Sequence, residues 1–160
     1  MIGIARWACM LPALALVTVA AAGTQTPGVA NKPLSVILQM VEAKGTRTVF
    51  SAENHRGLWE VVSCERRQMV CREDAIDGVS GAVRRSEREL VLDLRPPATA
   101  KPASGIARGI EAAGLGDIRE LEWDTRAWEA RVRNANGRAE LQVDPMTGAV
   151  RRCEGPGCRR

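Results

Sequence analysis

The sequence lacks most of the residues and motifs from which catalytic centres are built. It contains one histidine, His55, and no G-x-S-x-G, H-E-x-x-H, P-loop or dinucleotide-binding motif. His55 stands in the polar stretch from Glu53 to Gly57, which is typical of a surface loop between strands. No nucleophile can be paired with a convincing base. We therefore expect no catalytic residue, no metal ligand, no cofactor and no enzymatic activity.

Paired carboxylates for acid-base chemistry are also not indicated. Asp77 and Asp144 recur at equivalent positions, each just before a glycine-containing turn. Aspartate favours such positions because its carboxylate accepts hydrogen bonds from backbone amides of the same turn. A structural role in the turn therefore explains both residues.

Long apolar runs are absent beyond residue 23. Residues 7–23 form an apolar run without an acidic residue, preceded by Arg6 and ending in three alanines. This layout predicts a signal peptide at 1–22, cleaved after Ala22, and hence a periplasmic or secreted protein. The alternative is an uncleaved membrane anchor, although a run of this length is at the short limit of what spans a bilayer.

The formal net charge is only +4, which gives a weak electrostatic bias. An exported protein would meet anionic lipid or glycan rather than nucleic acid. Some of the basic residues come in pairs. A position on exposed, solvated strand faces would explain these pairs without a role in binding. The pairs are Arg66-Arg67, Arg84-Arg85, Arg151-Arg152 and Arg159-Arg160.

The chain contains an internal repeat. SGAVRRSE at 80–87 matches TGAVRRCE at 147–154, a separation of 67, and Trp59 matches Trp128, a separation of 69. Such self-similarity indicates a tandem duplication. The first copy has two extra residues, which lie either between Cys71 and Ile76 or in the preceding turn.

The residue pattern of each copy predicts a helix followed by strands. In the second copy, Trp128, Ala130 and Val132 alternate with charged residues, and Asn136-Gly137 supplies a tight hairpin turn. Apolar residues with helical spacing precede the strands in both copies. These are Leu34, Ile37, Leu38 and Val41 in the first copy, and Ile106, Ala107, Ile110 and Ala113 in the second.

The predicted fold class is α+β, with two tandem units that each pack one helix on a small antiparallel sheet. The units are 31–95 and 104–153, joined by a proline-rich linker at 96–103 and followed by a tail at 154–160. We expect Trp59 and Trp128 to anchor the two cores. Asn31 and Ser104 are the expected helix N-caps.

The strand pattern W-E-x-x-V, N-G, V-D-P-x-T-G-x-V after a short helix resembles the PepSY domain. The match is good over 104–152 and degenerate over 34–85, where no Asn-Gly is present. PepSY domains occur in protease propeptides and are thought to restrain peptidases, and a tandem arrangement is similar to the β-lactamase inhibitory proteins. The resemblance implies a fold and a compartment more firmly than an activity.

Two functional interpretations follow. The first is an exported, non-enzymatic binding or inhibitory module of the cell envelope, which contacts a protein partner and restrains a peptidase. The second is a structural or sensory envelope protein that associates with anionic surface polymers or a membrane receptor through its arginine pairs. The sequence does not identify the partner.

Apart from Cys9, the chain has four cysteines, which allow three pairings. At the spacing of 69, Cys64 and Cys71 correspond to Arg133 and Glu140, which we expect to lie opposite each other on the wet face of a hairpin. Disulfides Cys64–Cys71 and Cys153–Cys158 are therefore predicted. A redox or metal-binding pair is the alternative, but the chain has no C-x-x-C spacing.

Overall fold

The computed structural model describes residues 30–43, 47–65, 70–91 and 95–158. The predicted signal peptide lies outside the described residues, as do the pairs Arg66-Arg67 and Arg159-Arg160. The described chain forms two α-helices, eight β-strands and one short 3₁₀ helix. These are α1 (Leu34–Glu42), β1 (Arg47–His55), β2 (Leu58–Glu65), β3 (Cys71–Asp77), β4 (Val83–Glu89), α2 (Ala103–Ala112), β5 (Asp117–Asp124), β6 (Ala127–Asn134), β7 (Gly137–Val143), β8 (Val150–Glu154) and the 3₁₀ helix (Pro156–Cys158).

The expectation of two tandem units, each with its own small sheet, is wrong. All eight strands form one antiparallel sheet in the order β4-β3-β2-β1-β5-β6-β7-β8. The two copies meet where β1 pairs with β5, with Ala52 opposite Leu121. An unpaired strand edge exposes backbone donors and acceptors, and pairing β1 with β5 removes one such edge from each copy.

The junction has approximate two-fold symmetry. Ala52 and Leu121 are equivalent in the repeat, and they lie directly opposite each other. Ser51 pairs with Glu122, and Glu53 pairs with Glu120, so each copy contributes the same positions to the junction. Because Ala52 and Leu121 are completely buried, the hydrophobic core continues across the junction without a break.

Both helices pack on one face of this sheet. The apolar stripe of α1 is buried, as are Ile106, Ala107 and Ile110 of α2, whereas Ala113, which was expected in the second stripe, is an exposed C-cap residue. The sheet contributes Trp59 and Trp128, which are 4% and 1% exposed. The predicted N-caps are wrong, because Pro33 and Pro102 occupy the cap positions and neither donates or accepts a side-chain capping bond.

Each helix instead receives its N-terminal partner from the other helix. The Ser35 amide of α1 donates to Oε1 of Glu111 at 3.0 Å, and the Ser35 hydroxyl donates to Oε2 at 2.5 Å. In the equivalent contact, the Ser104 amide of α2 lies 3.4 Å from Oε1 of Glu42. A carboxylate at a helix N-terminus accepts from amides that have no intrahelical partner. The two helices therefore cap each other.

The structure contains both predicted disulfides, Cys64–Cys71 and Cys153–Cys158. The first joins residues directly opposite on β2 and β3, but both cysteines are buried rather than on a wet surface. The expected pairing of Arg133 with Glu140 is wrong, because Arg133 lies opposite Arg138 and Glu140 lies opposite Arg131. The two extra residues of the first copy therefore lie in the turn between β2 and β3.

The continuous core predicts a single cooperative unfolding transition. Leu121→Ala removes a fully buried side chain at the junction, so we expect the free energy of unfolding to fall by about 3 kcal/mol. The loss should shift one transition in calorimetry, with equal calorimetric and van't Hoff enthalpies. Leu58→Ala, at a leucine that is 39% exposed, should change the free energy by about 0.5 kcal/mol or less. Two separate transitions in the Leu121→Ala variant would contradict a shared core.

Candidate functional site

His55 ends β1 instead of lying in a loop. Its Nε2 is 3.3 Å from Oε1 of Glu53 and 3.4 Å from Oε2 of Glu60, and about half of its side chain is exposed. Both of these contacts are to carboxylates, not to a serine or cysteine nucleophile. The three side chains form a polar cluster at the surface of the sheet.

Asp77 and Asp144 both accept hydrogen bonds within the turns in which they lie. Asp144 accepts from the backbone amides of Thr147 and Met146 and pairs with Arg151, while Asp77 accepts from the Ser80 amide and pairs with Arg84. The Thr147 amide, followed by the other donors, lowers the pKa of Asp144 to about 2. The Ser80 amide and then Arg84 lower the pKa of Asp77 in the same way. Both carboxylates therefore remain ionised at neutral pH and stabilise their turns.

The sheet face opposite the helices is open and carries a group of glutamates where the two copies meet. Strands β5, β6 and β7 alternate buried and exposed positions, with the apolar residues under the helices. Five glutamates near the β1–β5 junction, three exposed and two half-buried, form a group that we call the acidic centre. It consists of Glu53, Glu60, Glu120, Glu122 and Glu129.

Like charges lie directly opposite each other in the acidic centre. Glu53 is the cross-strand neighbour of both Glu60 and Glu120. Glu122 is the neighbour of Glu129 in the same way. Such pairs destabilise a sheet by a few tenths of a kcal/mol or more each. Two arginines contribute positive charge to this group: Nη1 of Arg131 is 2.6 Å from Oε2 of Glu120, and Nη2 of Arg85 is 3.5 Å from Oε1 of Glu60.

The described arginine pairs are engaged with carboxylates. Arg84 contacts Asp77, and Arg85 lies within 3.5 Å of carboxylate oxygens of three glutamates. Arg151 pairs with Asp144, and Arg152 pairs with Glu154. These contacts reduce the positive charge that the two pairs present to a polyanion.

Two cavities lie at equivalent places beside the helices. The Trp59 cavity, of about 540 Å³, is bounded by the segment before α1 and by the start of β5. The Trp128 cavity, of about 470 Å³, is bounded by the segment before α2 and by the start of β1. Both volumes fall within the range typical of small-molecule sites.

Each cavity is lined by a tryptophan whose indole nitrogen has no acceptor among the described residues. Nε1 of Trp59 and Nε1 of Trp128 are both buried. A buried donor without a partner is disfavoured by about 1 to 3 kcal/mol. Sequence analysis identified both tryptophans as core residues, but no sequence signal reveals that their N–H groups lack acceptors.

No metal centre is evident in the part of the chain that the structure describes, because no three histidine, cysteine, aspartate or glutamate side chains there are grouped suitably. Neither α1 nor α2, the two described helices, is long and apolar enough to cross a membrane. The two disulfides are compatible with an extracytoplasmic protein.

No known family model matches the chain, and no curated protein matches it. Among solved structures, the chain is similar to a candidate lipoprotein from Clostridium difficile 630. That similarity has a TM-score of 0.47 and 15% sequence identity, and it covers 78% of this chain and 93% of the other.

The lowered pKa of Asp144 predicts a pH-dependent contribution to stability. A carboxyl group with a folded pKa of about 2, against an ordinary value of 3.8, stabilises the fold above pH 3.8 and loses this effect as the pH falls through 2. Asp144→Asn should therefore lower the melting temperature at pH 7, with the difference shrinking between pH 3.8 and pH 2. Thermal melts between pH 2 and 7 measure this.

Asp117→Asn is the matched control, because the Asp117 side chain is 83% exposed. It should change the melting temperature little at any pH in this range. An Asp144→Asn variant that is equally destabilised at pH 7 and pH 2 would show that the carboxylate charge does not stabilise the turn.

Proposed function

We propose that this chain is an exported, non-enzymatic binding module of the cell envelope that acts by contact with a protein partner. The observation that carries the proposal is the acidic centre on the open sheet face. Like charges held opposite each other oppose folding, and a partner that supplies positive charge would relieve the repulsion. Functional sites commonly contain residues that lower the stability of the fold but are needed for activity or binding.

The partner surface would be basic and would lie across the junction of the two copies. Glu53 and Glu60 belong to the first copy, and Glu122 and Glu129 to the second, so only the joined sheet presents them together. Complementary charge would speed association and would make it sensitive to salt.

The resemblance of the repeats to PepSY domains supports a peptidase as the partner. In this proposal the protein is periplasmic or secreted and restrains the peptidase by occupying its surface, with no chemistry of its own. The repeat and the disulfides are the features that agree with this assignment. The absence of aromatic side chains from the acidic centre means that charge, rather than apolar insertion, would dominate the contact.

The alternative, association with anionic polymers through arginine pairs, is less well supported. Arg84, Arg85, Arg151 and Arg152 are all in ion pairs with carboxylates of the same chain. A polyanion would have to displace these contacts. The acidic centre would also disfavour the approach of a polyanion to the open sheet face.

A double variant, Glu122→Gln with Glu129→Gln, tests the proposal. Removing the like-charge pair should raise the free energy of unfolding by about 0.5 kcal/mol and should weaken capture of the partner. Purified protein immobilised through its C-terminus would be incubated with envelope extract, and the retained proteins would be quantified by mass spectrometry. The partner should be depleted on the double variant and released from the wild type at high salt.

Glu87→Gln is the control, because Glu87 lies on the outermost strand β4 and is 62% exposed on its side chain. It should retain the partner as well as the wild type does. A double variant that is stabilised yet retains the same proteins would remove the acidic centre from the binding surface. Addition of wild-type protein should also lower the peptidase activity of the extract, and an unchanged activity would argue against restraint of a peptidase.

A further inference from the structure

The chain after β8 folds back onto the β6–β7 hairpin, and we call its residues 155–158 the strap. The strap lies close to the hairpin backbone because glycines stand at the contact. A Cβ at Gly155 would lie 2.7 Å from the carbonyl oxygen of Arg138, and one at Gly157 would lie 3.0 Å from the carbonyl oxygen of Gly137. The sequence therefore permits this close approach only with glycine at both strap positions.

The strap covers an apolar end of the core. Val132 and Ala139 lie directly opposite each other on β6 and β7, and they are 2% and 3% exposed. A Cβ at Gly157 would lie 3.1 Å from Cβ of Ala139, and Cys158 packs against the same core. Removing the strap would therefore bring this end of the core into contact with water.

The first copy has polar residues at the same place. Ser63 and Arg72, the equivalents of Val132 and Ala139, also lie directly opposite each other. Arg72 is exposed, and the Ser63 hydroxyl accepts from Nη1 of Arg47 at 3.1 Å. Polar side chains tolerate water or find partners at such a position, whereas apolar ones are stabilised when water is excluded. The strap thus suits the apolar second copy.

The two disulfides differ in their exposure. Cys64 and Cys71 are only 1% and 3% exposed. Cys153 is exposed on the edge strand β8, and Cys158 is half-buried. A disulfide opens when a thiolate reaches one of its sulfur atoms, so access decides which bond reacts. The disulfide that closes the strap is therefore the more reactive one.

We propose that the Cys153–Cys158 disulfide is a reducible latch, which holds the strap down when oxidised and lets it lift when reduced. The reductant is a dithiol, as in a thiol-disulfide oxidoreductase. One thiolate attacks Sγ of Cys153, which forms a mixed disulfide and releases Cys158 as a thiolate that takes up a proton. The second thiolate of the reductant then attacks the mixed disulfide and releases Cys153 in the same way. The dithiol becomes a disulfide, and its two electrons leave two thiols on this chain.

Among the described residues, few polar contacts hold the strap once the latch is open. The side-chain amide of Asn134 donates to the carbonyl oxygen of Gly157 at 2.8 Å. The same amide also donates to the carbonyl oxygen of Leu115 at 3.1 Å, so it keeps a partner when the strap leaves. Without the covalent tie, the strap gains conformational freedom. We therefore expect reduction to lift it.

The latch is independent of the proposed partner surface. Ala139, which the strap covers, belongs to the core under the helices. The acidic centre lies on the opposite face of the sheet. Failure of the latch in the tests below would therefore leave partner capture by the acidic centre unaffected, and the reverse also holds.

Timed alkylation tests the difference in reactivity. Folded protein would be incubated with dithiothreitol at about pH 8, blocked with iodoacetamide at intervals and mapped by mass spectrometry. Cys153 and Cys158 should be alkylated at least about tenfold sooner than Cys64 and Cys71, while the far-UV circular dichroism stays unchanged. Equal rates, or earlier alkylation of Cys64 and Cys71, would overturn the proposal.

NMR tests whether reduction lifts the strap. The amide resonances of Gly155 and Gly157 should move to the positions of a disordered chain. A soluble nitroxide should broaden the methyl resonances of Val132 and Ala139 only in the reduced protein. The methyl resonances of Val61, a core residue that is 0% exposed, should stay sharp in both states. Strap resonances that do not change after reduction would show that the disulfide is not what holds the strap.

Two variants separate the covalent tie from the hydrogen bond. The double variant Cys153→Ser with Cys158→Ser should show the lifted strap without a reductant and should not respond to dithiothreitol. Asn134→Ala is the matched control, because it removes the side-chain contact to the strap but keeps the disulfide. Its strap should stay ordered until the protein is reduced. An ordered strap in the double variant would contradict the latch, and the wild-type experiments decide the question even if that variant misfolds.

Discussion

The antiparallel pairing of β1 with β5 is the interaction on which the rest of the structure depends. It converts two copies of a small repeat into one sheet and lets a single core run from Trp59 to Trp128. Units of this size bury a small apolar core and are marginally stable alone. The same pairing brings together glutamates from both copies, so the acidic centre exists only because the copies are joined.

Much of the local structure could be predicted from the sequence. The apolar stripe of α1, most of the stripe of α2, the alternation along β6 and the disulfide pairs followed from periodicity, repeat spacing and cysteine positions. The joining of the two copies into one sheet could not be predicted. The junction is formed by the symmetric pair Ala52 and Leu121, whose sequence context indicates only that they are buried strand residues. Pairing between the first strands of two copies depends on tertiary contacts that leave no local signal.

The candidate sites were predictable to a smaller extent. Alternation along β6 places Glu129 on a wet face, but its position opposite Glu122 depends on register. Asn31 and Ser104 were predicted as N-caps because each is close in sequence to the start of its helix. In the structure, the N-terminal amides of each helix are instead contacted by a glutamate of the other helix. The unpartnered indole of Trp128 depends on what surrounds a side chain in three dimensions, which spacing cannot reveal.

The exchange of carboxylates between the helices has a consequence for how the chain reaches its folded state. Glu42 completes the first turn of α2, and Glu111 completes the first turn of α1. Neither helix can therefore gain its full set of hydrogen bonds before the other has docked. A nascent first copy leaving its synthesis or export machinery would hold an incomplete helix and an open β1 edge, vulnerable to proteases and to pairing with other chains. Survival of the protein would then depend on how quickly the second copy follows.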